Sequence, residues 1–132
     1  MRAELTVQIA RTPEEVYDYL TDVSNLPNWQ SGVHSARREG VEIHESRHML
    51  GRELHTTLAI DAEERPRLFV LRATNSPVPF TVRHKLEPAH GGTRLTVTAE
   101  GDVPGFAAGL LTRRAERQFR KDFARLKRIL EV

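Results

Sequence analysis

Histidine is the residue type of this chain best suited to acid–base chemistry, because only its side chain titrates near neutral pH without being perturbed. Six histidines are present and cysteine is absent, which excludes a thiol nucleophile and a thiolate metal site. His84 shares the alternation of Phe80, Val82 and Leu86, so we expect it to point to the apolar face of a strand. An imidazole in an apolar cavity could act as general base in an aldol-type cyclisation or a dehydration. The commoner arrangement is a core histidine whose ring is satisfied by a neighbouring polar group.

The other histidines do not form a metal-binding pattern. His55 has the opposite alternation to Leu54 and Leu58 and is expected to face solvent, and His90 lies in a turn. No pair of histidines has the spacing and the helical placement of a zinc site. We therefore expect no metal and no cofactor.

Arg72 is the second candidate catalytic residue. Both faces of its segment, RLFVLRAT, are apolar, so the alternation does not decide whether Arg72 points inward or outward. Inward, its guanidinium would bind a carboxylate or enolate oxygen, because burying it unpaired is very costly. Outward, it would be an ordinary surface cation.

Three other polar residues alternate in step with apolar neighbours. The hydroxyl of Thr56 could line a groove beside Leu58, although threonine is also a common strand residue. Glu45 and Arg47 lie on the alternation of Ile43 and could form an inward pair. A bulge or a strand end could equally turn that pair to solvent.

The elements that position these residues are indicated by periodicity and by turn residues. Residues 5–9 alternate as a half-buried strand, and Thr12, Pro13 and Glu15 form a capping box with proline at the first helical position. From residue 33 to residue 101 the period is two, with turn-forming residues between short segments, which indicates antiparallel hairpins. We predict strands near residues 33–39, 42–49, 53–62, 67–74, 79–87 and 93–101.

A long amphipathic helix is predicted from about Phe106 to the end of the chain, because Leu111, Ala115 and Phe119 begin an apolar stripe at steps of three and four. The predicted fold is α+β: a strongly twisted sheet of seven strands curls, and the long helix lies in its concave face. A straight helix touches a curved sheet along only part of its length. A cavity is therefore expected where they diverge, unless large side chains fill it.

Trp29 is the only tryptophan, and it lies in the polar stretch TDVSNLPNWQSG. We predict a short helical turn there, ended by Gly32. A large amphipathic ring in such a segment is expected either to plug the core or to line the rim of a cavity. The plug is the commoner arrangement, and at a cavity rim both can hold.

Length and composition indicate one domain over residues 1–132. The N-terminal stretch lacks the apolar run of a signal peptide, and no run approaches the roughly 18 apolar residues of a spanning helix, so we expect a soluble, cytoplasmic protein. Residues 113–132 hold eight basic and three acidic residues. These charges form the polar side of an amphipathic helix, so we expect no nucleic-acid binding and no stable membrane insertion.

The order of elements resembles a known family. TPEEVYDYLTDVSNLPNW near the start, EPAHGGTRLTVTAEGD late in the chain and the terminal helix ending in LKRILE are similar to the polyketide cyclase/dehydrase group of the START/Bet v 1-like (SRPBCC) helix-grip superfamily. The resemblance covers essentially the whole chain and implies the helix-grip fold. It is poorly specific for function, because members include lipid carriers, receptors and aromatase/cyclases.

The resemblance and the apolar groove together predict that the protein binds a small hydrophobic or amphipathic ligand of lipid, isoprenoid or polyketide type. The alternative is a polyketide cyclase or dehydratase that uses His84 as general base with Arg72 as partner. An accessory partner protein is a third possibility, and the oligomeric state is left open between monomer and homodimer. The expected ligand-binding residues are Tyr17, Trp29, Leu54, Thr56, Leu58, Val70, Phe80, Val82, His84, Val97, Phe106, Leu111, Ala115 and Phe119.

Overall fold

The computed structural model of the chain describes residues 2–49, 51–75, 79–102 and 105–132, without the side chains of residues 49, 105–108, 111 and 112. The strands are β1 (Arg2–Ile9), β2 (Val33–Glu39), β3 (Glu42–Met49), β4 (Arg52–Glu64), β5 (Leu68–Ala73), β6 (Phe80–Ala89) and β7 (Gly92–Gly101). The helices are α1 (Pro13–Thr21), α2 (Leu26–Trp29) and α3 (Gly105–Leu130), with a 3₁₀ turn at Val23–Asn25.

The strands form one antiparallel sheet of seven in the order β1-β7-β6-β5-β4-β3-β2. Consecutive strands from β2 to β7 are neighbours, as their short connections predict. Strand β4 runs to Glu64, two residues beyond its predicted end, and its pairing with β5 is irregular between Ile60 and Ala62. Such irregularities bend a strand and increase its twist, which helps the sheet to curl.

Helix α1 begins where the capping box predicts. The Thr12 hydroxyl accepts a hydrogen bond of 3.2 Å from the backbone N–H of Glu15, and Pro13 occupies the first helical position, where its missing N–H costs nothing. The buried stripe of the helix consists of Val16, Tyr17 and Leu20. These side chains pack into the hydrophobic core beside the concave face of the sheet.

The concave face of the sheet, which we call the inner face, carries the core. Leu86, Leu95 and Val97 are almost fully buried, whereas Lys85, which alternates with them, is exposed. Because neighbouring residues of a strand point to opposite faces, this alternation separates an apolar inner face from a polar outer face.

Helix α3 has 26 residues and is therefore about 39 Å long. Its second half is fixed to the core: Phe123 and Leu126 are buried, and the backbone N–H of Ala10 donates to Glu131 near its end. Across residues 113–121 every side chain is exposed or half-buried. Within the described residues, no helix has both the length and the apolar content that a membrane span requires.

Replacing Gly92 by alanine is expected to lower the free energy of unfolding by about 1–3 kcal/mol, because the added methyl overpacks the β1–β7 contact. A Cβ at this position would lie 2.2 Å from the carbonyl oxygen of Ile9 and 3.1 Å from Cα of Ala10. Gly109→Ala is the matched control: apart from the backbone of its own helix, its Cβ would meet none of the described atoms within 4 Å, and a helical alanine is favoured by up to about 1 kcal/mol over glycine. Urea unfolding of both variants measures the contrast, and equal stability would contradict the backbone clash.

Candidate functional site

His84 lies on the inner face, where its alternation predicts. It is 4% exposed, and its Nδ1 lies 3.0 Å from the carbonyl oxygen of Phe69. Because a carbonyl only accepts, Nδ1 carries the hydrogen and Nε2 does not. Burial lowers the pKa of His84 to about 4, and the hydrogen bond to Phe69 opposes part of that effect. The imidazole is therefore neutral at physiological pH.

Arg72 lies on the outer face of the sheet, away from His84. Its Nε donates to Asp61 at 3.0 Å and its Nη2 donates to the other carboxylate oxygen at 3.3 Å, while the adjacent Leu71 packs against the core. Of the two placements that the sequence left open, the structure has the outward one: Arg72 is a surface cation paired with Asp61. It does not reach a group bound beside His84.

Val70, which was expected to be a ligand-binding residue, points to the outer face. It is the cross-strand partner of Arg83, and direct partners in an antiparallel pair point to the same face. Arg83 is exposed and alternates with the buried His84. Alternation failed at β5 because both of its faces are apolar, so the register with β6 was needed to place Val70.

Aromatic rings surround His84. Its ring centroid lies 5.9 Å from that of Phe69 and 6.0 Å from that of Phe123. Trp29 is 1% exposed and packs 5.0 Å from Phe123 in a tilted arrangement. Trp29 therefore fills the core, which is the commoner of the two arrangements that the sequence predicts.

The Tyr17 hydroxyl is held by the backbone rather than free to meet a ligand. It donates to the carbonyl oxygen of Leu68 at 3.1 Å, and its ring packs edge-on against Phe69. Burial, with a further contribution from the charge of Glu63, raises the pKa of Tyr17 to about 12. Tyr17 therefore stays protonated and serves as a hydrogen-bond donor within the core.

A small cavity of about 20 Å³ lies between Trp29 and His84. This is room for about one water molecule, which is too little for a lipid or a polyketide. The cavity shows that the core around His84 is closed in the described structure. Its lining consists of Leu20, Thr21, Val23, Leu26, Trp29, Gln30, Ile43, Phe69, Leu71 and His84.

The other expected ligand-binding residues divide by burial. Buried on the inner face are Thr56, Leu58, Val82 and Val97. Half-buried are Leu54, Phe80, Ala115 and Phe119. The side chains of Phe106 and Leu111 lie outside the described residues.

A buried charged pair on β3 settles the placement that the sequence left open. The Glu45 side chain is 1% exposed and that of Arg47 is 22% exposed. Nε of Arg47 donates to Oε1 of Glu45 at 2.8 Å, and its Nη2 donates to Oε1 of Gln30 at 2.9 Å. The pair therefore points inward, and Gln30, from the turn after α2, fixes the guanidinium.

Asp122 is a second buried carboxylate, which the sequence pattern did not single out. It is 7% exposed and accepts a hydrogen bond of 2.8 Å from Gln118, one turn earlier on α3. Burial raises the pKa of Asp122, and the hydrogen bonds from Gln118 and Ser31 oppose that effect. The only signal in the sequence was an aspartate next to Phe123 on the apolar stripe, which alone indicates no role.

A recess of about 450 Å³ lies across strands β2, β3 and β4. Its lining includes Ala36, Glu45 and Thr56, together with residues that alternate with these three along the strands and therefore point to the outer face. It is an open polar surface rather than an enclosed site. The outward side chains in its lining are Ser35, Arg37, His44, Ser46, His55 and Thr57.

No three histidine, aspartate or glutamate side chains among the described residues form a group that could hold a metal ion. The groups at the site that could take part in chemistry are the neutral imidazole of His84, the Tyr17 hydroxyl, which is bonded to the backbone, and two buried carboxylates. The arrangement suits binding of an uncharged molecule better than proton transfer, because a base with a pKa near 4 is weak at neutral pH.

Comparison with known proteins supports the fold and the family resemblance. The model of the family described as polyketide cyclase / dehydrase and lipid transport matches residues 1–131. None of the curated proteins matches this sequence.

Several solved structures share the architecture. A START superfamily protein from Mycobacterium smegmatis has a TM-score of 0.84 at 14% identity, with 98% of this chain and 97% of that chain covered. A conserved protein from Geobacillus kaustophilus has a TM-score of 0.84 at 19% identity, covering 98% and 95%. Ara h 8.0201 has a TM-score of 0.68 at 15% identity, covering 96% and 97%. At these identities the likeness shows the fold alone, and it confirms the predicted helix-grip architecture.

Proposed function

Because the chain belongs to the polyketide cyclase / dehydrase and lipid transport family, we propose that it binds a small hydrophobic or amphipathic molecule between the inner face of the sheet and residues 113–121 of α3. The ligand is of lipid, isoprenoid or polyketide type. The protein acts on it by enclosing it rather than by transforming it.

The observation that carries this proposal is the uneven burial of α3. From Asp122 onward the helix has buried side chains at Asp122, Phe123 and Leu126. Across residues 113–121 it has none. A helix fixed at one end and loosely packed along an earlier stretch can move away from the sheet there at small cost, because few buried contacts are lost.

The chemistry of the inner face supports a hydrophobic ligand. Leu58, Val82 and Phe80 present apolar surface on strands β4 and β6, and an apolar wall with few polar groups is typical of small-molecule sites. The closed core around His84 means that a ligand enters by displacing α3 rather than by filling a ready cavity. Binding is thus coupled to a movement of the helix.

Retention of a ligand by the purified protein tests the proposal. Native mass spectrometry of the intact protein is expected to show a non-covalent adduct of a copurified small molecule, or an adduct of the added compound after incubation with 1-dodecanol or dodecyl methyl ether. Ala115→Trp places a large ring on the half-buried side of α3, and we expect it to abolish the adduct.

Arg114→Trp is the matched control, because Arg114 is the exposed neighbour of Ala115 on the same helix. It should retain the adduct, and circular dichroism should show both variants folded. A folded wild-type protein that carries no adduct and binds neither compound would overturn the proposed function.

A further inference from the structure

Two buried oxygen atoms on the inner face have no hydrogen-bond partner within the described protein: Oε2 of Glu45 and Oγ1 of Thr56. Glu45 and Thr56 are direct cross-strand partners on β3 and β4. Direct partners point to the same face with Cβ atoms about 5 Å apart. The two oxygens therefore lie close together on one small area of the inner face.

Buried polar atoms without partners are uncommon, because each one loses its bonds to water and gains none in return. Here the two atoms are complementary in kind. The carboxylate of Glu45 only accepts hydrogen bonds, whereas the hydroxyl of Thr56 can donate one. A group that both donates and accepts would satisfy both atoms at once, and an alcohol hydroxyl is the simplest group of that kind.

The carboxylate is already held in place without using its second oxygen. Arg47 bonds Oε1 of Glu45, and Gln30 bonds Arg47. The pair therefore forms a fixed acceptor with balanced charge, and Oε2 is left for another donor. Preorganisation of this kind favours a ligand group, because the protein loses no further side-chain freedom when it binds.

These oxygens lie close to the point where α3 separates from the core. Gln30, which holds Arg47, is followed by Ser31, whose hydroxyl accepts a hydrogen bond of 2.6 Å from Gln118 of α3. Gln118 also bonds Asp122, the first buried residue of the helix along its described side chains. The polar pair thus borders the loosely packed stretch of α3, under which the proposed ligand would lie.

We propose that Glu45 and Thr56 bind the hydroxyl group of the ligand, which makes an uncharged long-chain or polycyclic alcohol the preferred class. The hydroxyl donates to Oε2 of Glu45 and accepts from Oγ1 of Thr56. A carboxylate ligand would bring a second negative charge beside Glu45 with only Arg47 to balance it, and is disfavoured. This inference rests on the proposed function and specifies the ligand that the same site takes.

Three matched compounds test the proposal: 1-dodecanol, dodecyl methyl ether and dodecanoate, titrated calorimetrically into the wild-type protein. The ether keeps the chain and loses the donor, and dodecanoate exchanges the hydroxyl for a negative charge. We expect the alcohol to bind at least about tenfold more tightly than either, since a hydrogen bond to a charged group is strong enough for that ratio.

Thr56→Val removes the hydroxyl without changing the shape of the side chain, and Glu45→Gln replaces the acceptor oxygen by an amide group. Glu45→Gln is expected to abolish the preference for the alcohol over the ether, because it removes the acceptor of the ligand O–H. Thr56→Val is expected to weaken the binding of both the alcohol and the ether, because the oxygen of either compound can accept from Oγ1 of Thr56. Thr57→Val is the control, because Thr57 is the next residue on β4 and points to the opposite face from Thr56. It should keep the preference.

The outcomes separate the two proposals. Equal binding of alcohol and ether by the wild type would overturn the role of Glu45 and Thr56 and leave the proposed function intact. The same holds if the preference exists but survives Glu45→Gln, or if Thr56→Val binds the alcohol and the ether as tightly as the wild type does. If the folded wild type binds none of the three compounds, both proposals fail.

Discussion

Replacing Trp29 by alanine is expected to lower the free energy of unfolding by about 3–5 kcal/mol, the range for truncation of a fully buried aromatic residue. The ring is 1% exposed and packs against Phe123, which itself touches His84 and Phe119. Removing the indole therefore leaves a cavity where the short helix α2 closes over the core. Both the lost burial and the lost contacts across that cavity contribute to the effect.

Urea unfolding followed by circular dichroism measures this change, since the variant lacks the only tryptophan. Trp29→Phe is the graded control: it keeps an aromatic ring against Phe123 and should lose a smaller part of the stability. A loss below about 1 kcal/mol for Trp29→Ala would show that the ring does not fill the core. The same result would contradict the closed state of the site.

The fold followed from local patterns because those patterns are repeated and mutually consistent. The capping box at Thr12 fixes the start of α1, and alternation in β4, β6 and β7 assigns one side of each strand to the core. Short turns then allow only antiparallel neighbours. Every predicted strand is present, with ends that differ from the prediction by at most a few residues.

Which face of β5 points to the core could not be predicted from local patterns, for a physical reason. In RLFVLRAT both sides of the strand are apolar, so no local pattern separates Val70 from Leu71. Only the pairing of Val70 with Arg83 on β6 assigns it to the outer face. A register of this kind is a long-range property, since it depends on where two distant segments meet.

The placement of the polar residues of the site could not be predicted from the sequence either. Glu45 and Arg47 stay inward because Gln30, from a distant turn, completes their hydrogen bonding. The alternation pattern of one strand gives no information about Gln30. Without that partner, the sequence does not distinguish an inward charged pair from one that a bulge turns to solvent. The same applies to Asp122, whose burial depends on Gln118 and on the turn at Ser31.

Acid is expected to destabilise the folded protein through the buried His84. The wild-type protein is expected to lose about 3 kcal/mol of stability from this one group as the pH falls from 6.5 to about 4. The pKa of His84 is depressed in the folded state, so between these two values the unfolded chain binds the proton and the folded chain does not. Protonation therefore favours unfolding in this window, and the stability is fully present above pH 6.5.

Asp122 acts in the opposite direction. Burial raises its pKa, so the folded state takes up a proton before the unfolded state does, and acid relieves the cost of burying that carboxylate. Glu63 and Glu131 act in the same direction as His84. Their pKa values are lowered in the folded protein, so the protein loses their stabilising contribution as the pH falls. The contribution of His84 must therefore be isolated by comparison with a variant that lacks only this titration.

His84→Asn is suited to that comparison, because its amide can donate to the carbonyl oxygen of Phe69 as Nδ1 of the imidazole does, and asparagine does not titrate. Urea unfolding of wild type and variant from pH 7 to pH 4 should show their stability difference shrinking by about 3 kcal/mol as the wild type alone loses the contribution of a neutral imidazole. His55→Asn, on the exposed outer face, should follow the wild type throughout. A constant difference between His84→Asn and wild type would mean that the imidazole is hydrated or charged in the folded protein, and the closed apolar core around it would have to be abandoned.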